Sequence, residues 1–179
     1  MILEVGIDEA MRVEAQRKAT EMGPINNSFL RGEGNVYGFI GELMFAQVTG
    51  GEVDNTYEWD VVMPNGVTVD VKTKCVTSPP FPDYDCSVAA AQVQQMCDYY
   101  AFVRVLKDLS MGWYLGALTK PTFFNTARWL KAGTVDGSNG WAPPVDCYNV
   151  KISDLYLDPA QPDALPTDEQ DPGVPARPH

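Results

Sequence analysis

Apolar positions along the chain switch between two spacings, one near 3.6 residues and one of two, and the switches mark out its elements. Residues 7–21 (I-D-E-A-M-R-V-E-A-Q-R-K-A-T-E) set Met11, Ala15 and Ala19 at steps of four, with acids early and bases later. That predicts an amphipathic helix, stopped by Gly23-Pro24. Residues 25–34 are loop-like. Asn35 is a candidate cap for a second helix over about 36–48, with Tyr37, Ile40, Met44 and Val48 in one stripe and Leu43 beside it. Gly50-Gly51 ends it. Strands are then predicted roughly at 51–54, 58–63 and 67–76, before a proline-rich loop, Thr77 to Pro82, that cannot be a central strand. Residues 86–98 read as helical around their glutamines and Tyr99 to Leu106 as a buried strand. A turn at 107–110 and a strand at 112–118 follow, then a helix from Phe123 to Leu130, a late strand from Tyr148 to Ile152 and a short turn. Helix, helix, strands, helix, strands, helix predicts the α/β class, a sandwich around a mixed sheet.

Composition narrows this picture in three ways. The 179 residues, 45% of them apolar, can bury one real core. Residues 1–158 read as a single domain and 159–179, with six prolines and scattered acids, as a flexible acidic tail. No apolar run approaches the ~20 residues of a membrane span. The N-terminus, Met1-Ile2-Leu3-Glu4, shows no secretory signal, so a cytoplasmic protein is expected. The four cysteines form no C-x-x-C pair and the one histidine is His179, which argues against a zinc finger or a histidine triad. Hydrolytic chemistry would have to rest on carboxylates, Lys, Ser, Tyr or a metal.

Net charge is −11, with −5 of it beyond residue 153. That argues against a large basic surface gripping nucleic acid, though not against a local basic channel.

The most informative stretch is D-V-V-M-P-N-G-V-T-V-D-V-K, Asp60 to Lys72. Pro64-Asn65-Gly66 is turn chemistry. If those three residues are the loop, Met63 faces Val67 and Asp60 faces Asp70. Side chains alternate along a strand, so Lys72 shares a face with Asp70 while Val69 and Val71 point away. Paired like charges cost stability, and a divalent cation would relieve them. Aspartate oxygens suit Mg²⁺, with Mn²⁺ as a substitute, and the backbone carbonyl of Val71 could complete the ligand set. Lys72 could then orient water or stabilise a phosphate in phosphodiester hydrolysis.

Glu42 stands in an apolar helix, G-F-I-G-E-L-M-F-A. Alone, such a residue is most simply a glutamate on the wet side of a surface helix. Beside the Asp60/Asp70/Lys72 face it reads as a third metal-site carboxylate. Gly38 and Gly41 would let that helix approach another backbone or a ligand.

This order of residues resembles the PD-(D/E)xK nuclease superfamily: a helix acid (Glu42), an aspartate opening a hairpin (Asp60), then Asp70-Val71-Lys72 on the second strand. Trp59 stands where the family's proline is usual. The likeness runs over about residues 35–155. It implies a restriction-endonuclease-like α/β/α sandwich with a central mixed sheet, divalent metal at Glu42, Asp60 and Asp70, and Lys72 as the catalytic lysine. It also implies a nucleic-acid substrate, DNA first, and leaves room for a homodimer. Gln95 and Tyr99 form a Gln-x-x-x-Tyr spacing that resembles exonuclease-type branches, although a glutamine-rich helix surface accounts for it as well. Lys74, on the face of Lys72, could contact phosphate or simply end a strand.

Two other readings stay open. One is a nuclease-fold binding or assembly protein with a weak or inactive site. The other is a cross-strand salt-bridge cluster with no ligand, which at an exposed position is worth little.

Overall fold

The computed structural model describes residues 2–23, 33–137 and 140–156. Helix α1 spans Glu9–Met22, and the Asp8 carboxylate caps it, accepting from the Met11 N–H at 2.8 Å. Met11 and Ala15 are its buried stripe. Helix α2 spans Glu33–Thr49, so Asn35 lies inside it and does not cap it. The Asn35 amide instead donates to the Gly23 carbonyl at the end of α1, 3.3 Å away. Ile40, Met44 and Phe45 of α2 are wholly buried. Each contributes about 1.5–3 kcal/mol of transfer free energy.

Both helices cover one face of a mixed six-stranded sheet. Its strands are β1 (Leu3–Gly6), β2 (Glu52–Val53), β3 (Val61–Val62), β4 (Thr68–Val76), β6 (Tyr99–Leu106) and β7 (Met111–Thr119), in the order β1-β7-β6-β4-β3-β2. Only the β4–β6 pair is parallel. β6 and β7 are interior strands with both faces covered, which is why their sequences are apolar almost throughout. Edge strand β1 was not legible, since L-E-V-G is too short for a pattern.

The other face carries a three-stranded sheet, β5 (Asp85–Ala89), β9 (Cys147–Lys151) and β8 (Arg128–Leu130), with the short helix α3 (Lys120–Thr126). Two sequence expectations fail here. Residues 85–89 form a strand and 90–92 one turn of 3₁₀ helix where a helix over 86–98 was expected. The predicted helix to Leu130 stops at Thr126, and 128–130 become β8. Pairing with β9, more than 55 residues away, overrides the helix propensity of Ala89-Ala90-Ala91-Gln92. The second layer over the sheet is therefore mainly β. The tail expected beyond 158 and the loop at 25–32 lie outside the described residues.

The β3–β4 hairpin forms as read. The Gly66 N–H donates to the Met63 carbonyl and the Met63 N–H to the Val67 carbonyl, each at 2.8 Å. Gly66 takes φ +84°, which a side chain would resist. Val61 pairs with Val69 and Val62 with Thr68, and the same register sets Asp60 opposite Asp70.

Candidate active site

β3 is two residues long, so the ladder beside β4 stops just below Asp60. The Asp60 N–H turns to the Val69 carbonyl at 3.0 Å. Its carboxylate then accepts the Val71 N–H at 2.7 Å, standing in for the missing strand. The Asp60 carboxyl also feels the negative charge of Asp70. Asp70 is 3% exposed. Its Oδ2 lies 2.5 Å from Lys72 Nζ, yet accepts no hydrogen bond of proper geometry. Lys72 also donates to Gln95 Oε1 at 3.3 Å and sits 5.9 Å from the centre of the Tyr100 ring. Val69 and Val71 point into the helix-side core, as the alternation required.

Glu42 comes from α2 and is 8% exposed. The Asn55 amide donates to its Oε2, and Lys18 Nζ donates to Asn55 Oδ1 at 2.5 Å. The loop between β2 and β3 folds back on itself, because the N–H groups of Asp54 and Asn55 donate to the Asp60 carbonyl at 2.8 and 3.2 Å. That closure brings Asn55 beside Asp60. Asn55 has φ +49°, a conformation asparagine tolerates better than most residues. Gly38, Glu42, Asn55 and Asp60 share a small cleft of about 220 Å³.

The three acids feel one another. Burial first, then the charges of Asp70 and Glu42, push the Asp60 carboxyl up to about 8 against the Val71 hydrogen bond. Burial likewise pushes Glu42 up to about 7. Asn55 and Lys18 oppose that rise, and the Asp70 charge adds to it. A native acid raised above its unfolded value holds a proton that the unfolded chain has lost. Its stabilisation is therefore full below the unfolded value and is lost as pH rises through the folded one. In chelator, melting temperature should fall as pH rises from about 4 through about 8. Asp60→Asn keeps the acceptor for Val71 and removes the charge, so it should flatten the curve and melt higher than wild type above the Asp60 transition. Thermal melts of both proteins across pH check this; parallel curves would contradict it.

The other residues singled out by sequence fall in different places. Gln95 is at the site, following the 3₁₀ turn, where it accepts from Lys72 and donates to the Tyr57 carbonyl at 3.0 Å. Tyr99 is not beside it. It starts β6 and packs in the helix-side core at 7% exposure, so the helical spacing that linked the pair is absent. Lys74 is one step further along the face of Lys72, with its ammonium 5.5 Å over the Trp141 ring. Gly41 does meet a neighbour, since an added Cβ would lie 1.9 Å from Thr73 Oγ1, while Gly38 faces open space. Asn55 and Lys18 were missed. The only signal for Asn55 was its place in the turn-like run Asp54-Asn55-Thr56, and none singled out Lys18.

The chain matches no protein-family model and no curated protein. No described helix is long and apolar enough to cross a membrane.

Among the described residues, no three Asp, Glu, His or Cys side chains are arranged to hold a metal ion. The contacts above give the reason: Asp70 faces Lys72, and Glu42 faces Asn55. The chemistry of the donor set nevertheless fits a hard cation. Three carboxyls gather within reach of one another's charge, and the buried Asp70 Oδ2 already faces a cation, the Lys72 ammonium.

Proposed function

We propose that this protein is a divalent-metal-dependent nuclease hydrolysing phosphodiester bonds in DNA. The observation that carries the reading is the meeting of Glu42, Asp60, Asp70 and Lys72 at the point where β3 ends. They come from a helix, a loop and a strand, in the chain order the nuclease pattern requires. Three buried or half-buried carboxyls within reach of one another's charge, with Glu42 and Asp60 raised in protonation, are a costly arrangement for a purely structural cluster.

Glu42, Asp60, Asp70 and the Val71 carbonyl would hold Mg²⁺ or Mn²⁺. The cation would supply charge neutralisation at the phosphate and a lowered pKa for attacking water. The protein's own part is positional. Lys72 is steered by the Gln95 side-chain Oε1 and the Tyr100 ring, and in that place its ammonium would face a non-bridging phosphate oxygen. Asn55, anchored by Lys18, sets the rotamer of Glu42. The mixed sheet and its helical layer support the restriction-endonuclease-like reading on that side, and the second layer is where this chain differs from an α/β/α sandwich.

The Lys72–Asp70 contact favours a second reading, a nuclease-fold binding or assembly protein whose site is closed by its own ion pair. Calorimetric titration with Mn²⁺ and hydrolysis of labelled single-stranded, duplex and branched DNA separate the two. The nuclease should bind the cation and cut at least one substrate in Mg²⁺ or Mn²⁺ but not in chelator. Failure on all three substrates would leave the second reading.

A further inference from the structure

A second cleft opens on the same face of β4, beyond Lys72. Lys72 and Lys74 of β4 and Phe102 and Arg104 of β6 lie in register, Lys72 with Phe102 and Lys74 with Arg104. They look towards β5 of the three-stranded sheet. Between the two sheets is a cavity of about 520 Å³, walled on one side by Trp141, Pro143 and Pro144. Past Lys74 and Arg104 a further 470 Å³ continues towards Tyr84 and Lys151. Volumes of this order, within the ~300–1,000 Å³ of ordinary ligand sites, hold one or two nucleotides. They exclude a paired helix.

The cleft runs against the character of the chain. In a protein of net charge −11, it gathers Lys72, Lys74, Arg104 and Lys151. Two of these are already committed, Lys72 to Asp70 and Lys151 to Asp85 at 3.2 Å. Asp85, a carboxylate in the cleft wall, is also held by Arg128 at 3.3 Å. Lys74 and Arg104 make no salt bridge among the described residues, although they stand side by side on paired strands. Arg104 is 5% exposed, with its guanidinium 5.0 Å from the Tyr84 ring and one N–H donating to the Asp85 carbonyl. Lys74 lies over Trp141. Desolvation of its ammonium end, and then the Arg104 charge, push Lys74 below the ordinary lysine value. Two adjacent cations that share only the field of Asp85, a carboxylate already paired with Lys151 and Arg128, and that are flanked by aromatic rings, are complementary to a ligand that alternates anions with flat apolar rings.

We propose that this cleft seats single-stranded nucleic acid, with a base against Trp141, its phosphates along Lys74 and Arg104, and the strand leading to Lys72. The inference rests on the nuclease reading for the strand's direction and on the cleft itself for its occupancy. Base stacking on an aromatic ring tolerates any sequence, so the site would select strandedness over sequence.

The test is fluorescence anisotropy with labelled oligothymidylate and a duplex of equal length, in chelator so that nothing is cut. Wild type should prefer the single strand by about tenfold or more, with affinity falling as salt rises. Lys74→Glu and Trp141→Ala should each weaken single-strand binding about tenfold, and Trp141→Phe, which keeps a ring, should retain most of it. Far-UV circular dichroism confirms that each variant is folded. Equal affinity for both DNAs, or unchanged single-strand affinity in both Lys74→Glu and Trp141→Ala, overturns the cleft proposal. Hydrolysis measured in parallel keeps the two ideas apart. Strand binding without Mg²⁺-dependent cutting sinks the nuclease reading alone. Cutting with unaltered binding in the variants sinks the cleft alone.

Discussion

Asp70→Asn should reduce Mg²⁺-dependent hydrolysis by about a thousandfold or more, because it removes a charge that the whole site is built around. Asp70 is the most buried of the three acids, and its charge acts on every other charged group of the site. It raises Asp60 and Glu42 and lies 2.5 Å from Lys72. Asparagine keeps the shape and the strand, so the loss would be chemical. Stability has two opposing terms. Relief of repulsion with Asp60 and Glu42 favours the variant, while a lysine left beside a neutral amide disfavours it. Lys72→Ala removes the second term without restoring activity. A thermal melt beside the hydrolysis assay separates folding from chemistry, and an Asp70→Asn protein that cuts DNA at the wild-type rate would end the nuclease interpretation.

Gly41→Ala should destabilise the protein by about 2 kcal/mol, although alanine is the better helix former. The propensity gain in a helix interior is about 1 kcal/mol. Against it stands a Cβ placed 1.9 Å from Thr73 Oγ1 and 3.0 Å from Thr73 Cβ, on a strand that cannot retreat. Overpacking of that kind costs about 1–3 kcal/mol and occasionally more. Thr73 lies between the helix layer and the site, and its hydroxyl is buried without a hydrogen-bond partner, so Thr73→Ala alone should cost little. The double variant Gly41→Ala/Thr73→Ala should recover most of the loss in a denaturant melt. Additive losses would show that the spacing of α2 from β4 is not set by this contact. Because Glu42 is the next residue, activity should fall and recover along with stability.

How much of this could be read beforehand depended on the range of the interaction concerned. The β3–β4 hairpin was legible down to its pairing, because turn chemistry at Pro64-Asn65-Gly66 and a period of two are local properties. β6 matched its expected bounds, since a run of apolar residues covered on both faces needs no periodicity to stand out. β5 did carry an alternation, with Cys86 and Val88 buried. The adjoining Ala-Ala-Ala-Gln run masked it, and the partner that decided the matter lies far along the chain in β9. Tyr99 failed for the same reason: its spacing from Gln95 had meaning only on a helix that does not form.

Alone, the sequence determined the class of fold, the hairpin register and the four residues Glu42, Asp60, Asp70 and Lys72 as candidates. Each follows from spacing, turn preference or residue chemistry within a few neighbours. The tertiary structure alone decided that Asn55 and Lys18 hold Glu42, that Gln95 steers Lys72, and that Lys74 and Arg104 face Trp141 and Tyr84 across a cleft. Those contacts join segments tens of residues apart, whose meeting is set by burial of two cores and not by any local preference. A net charge summed over the chain could not show four cations gathered in one cleft, because a sum carries no positions.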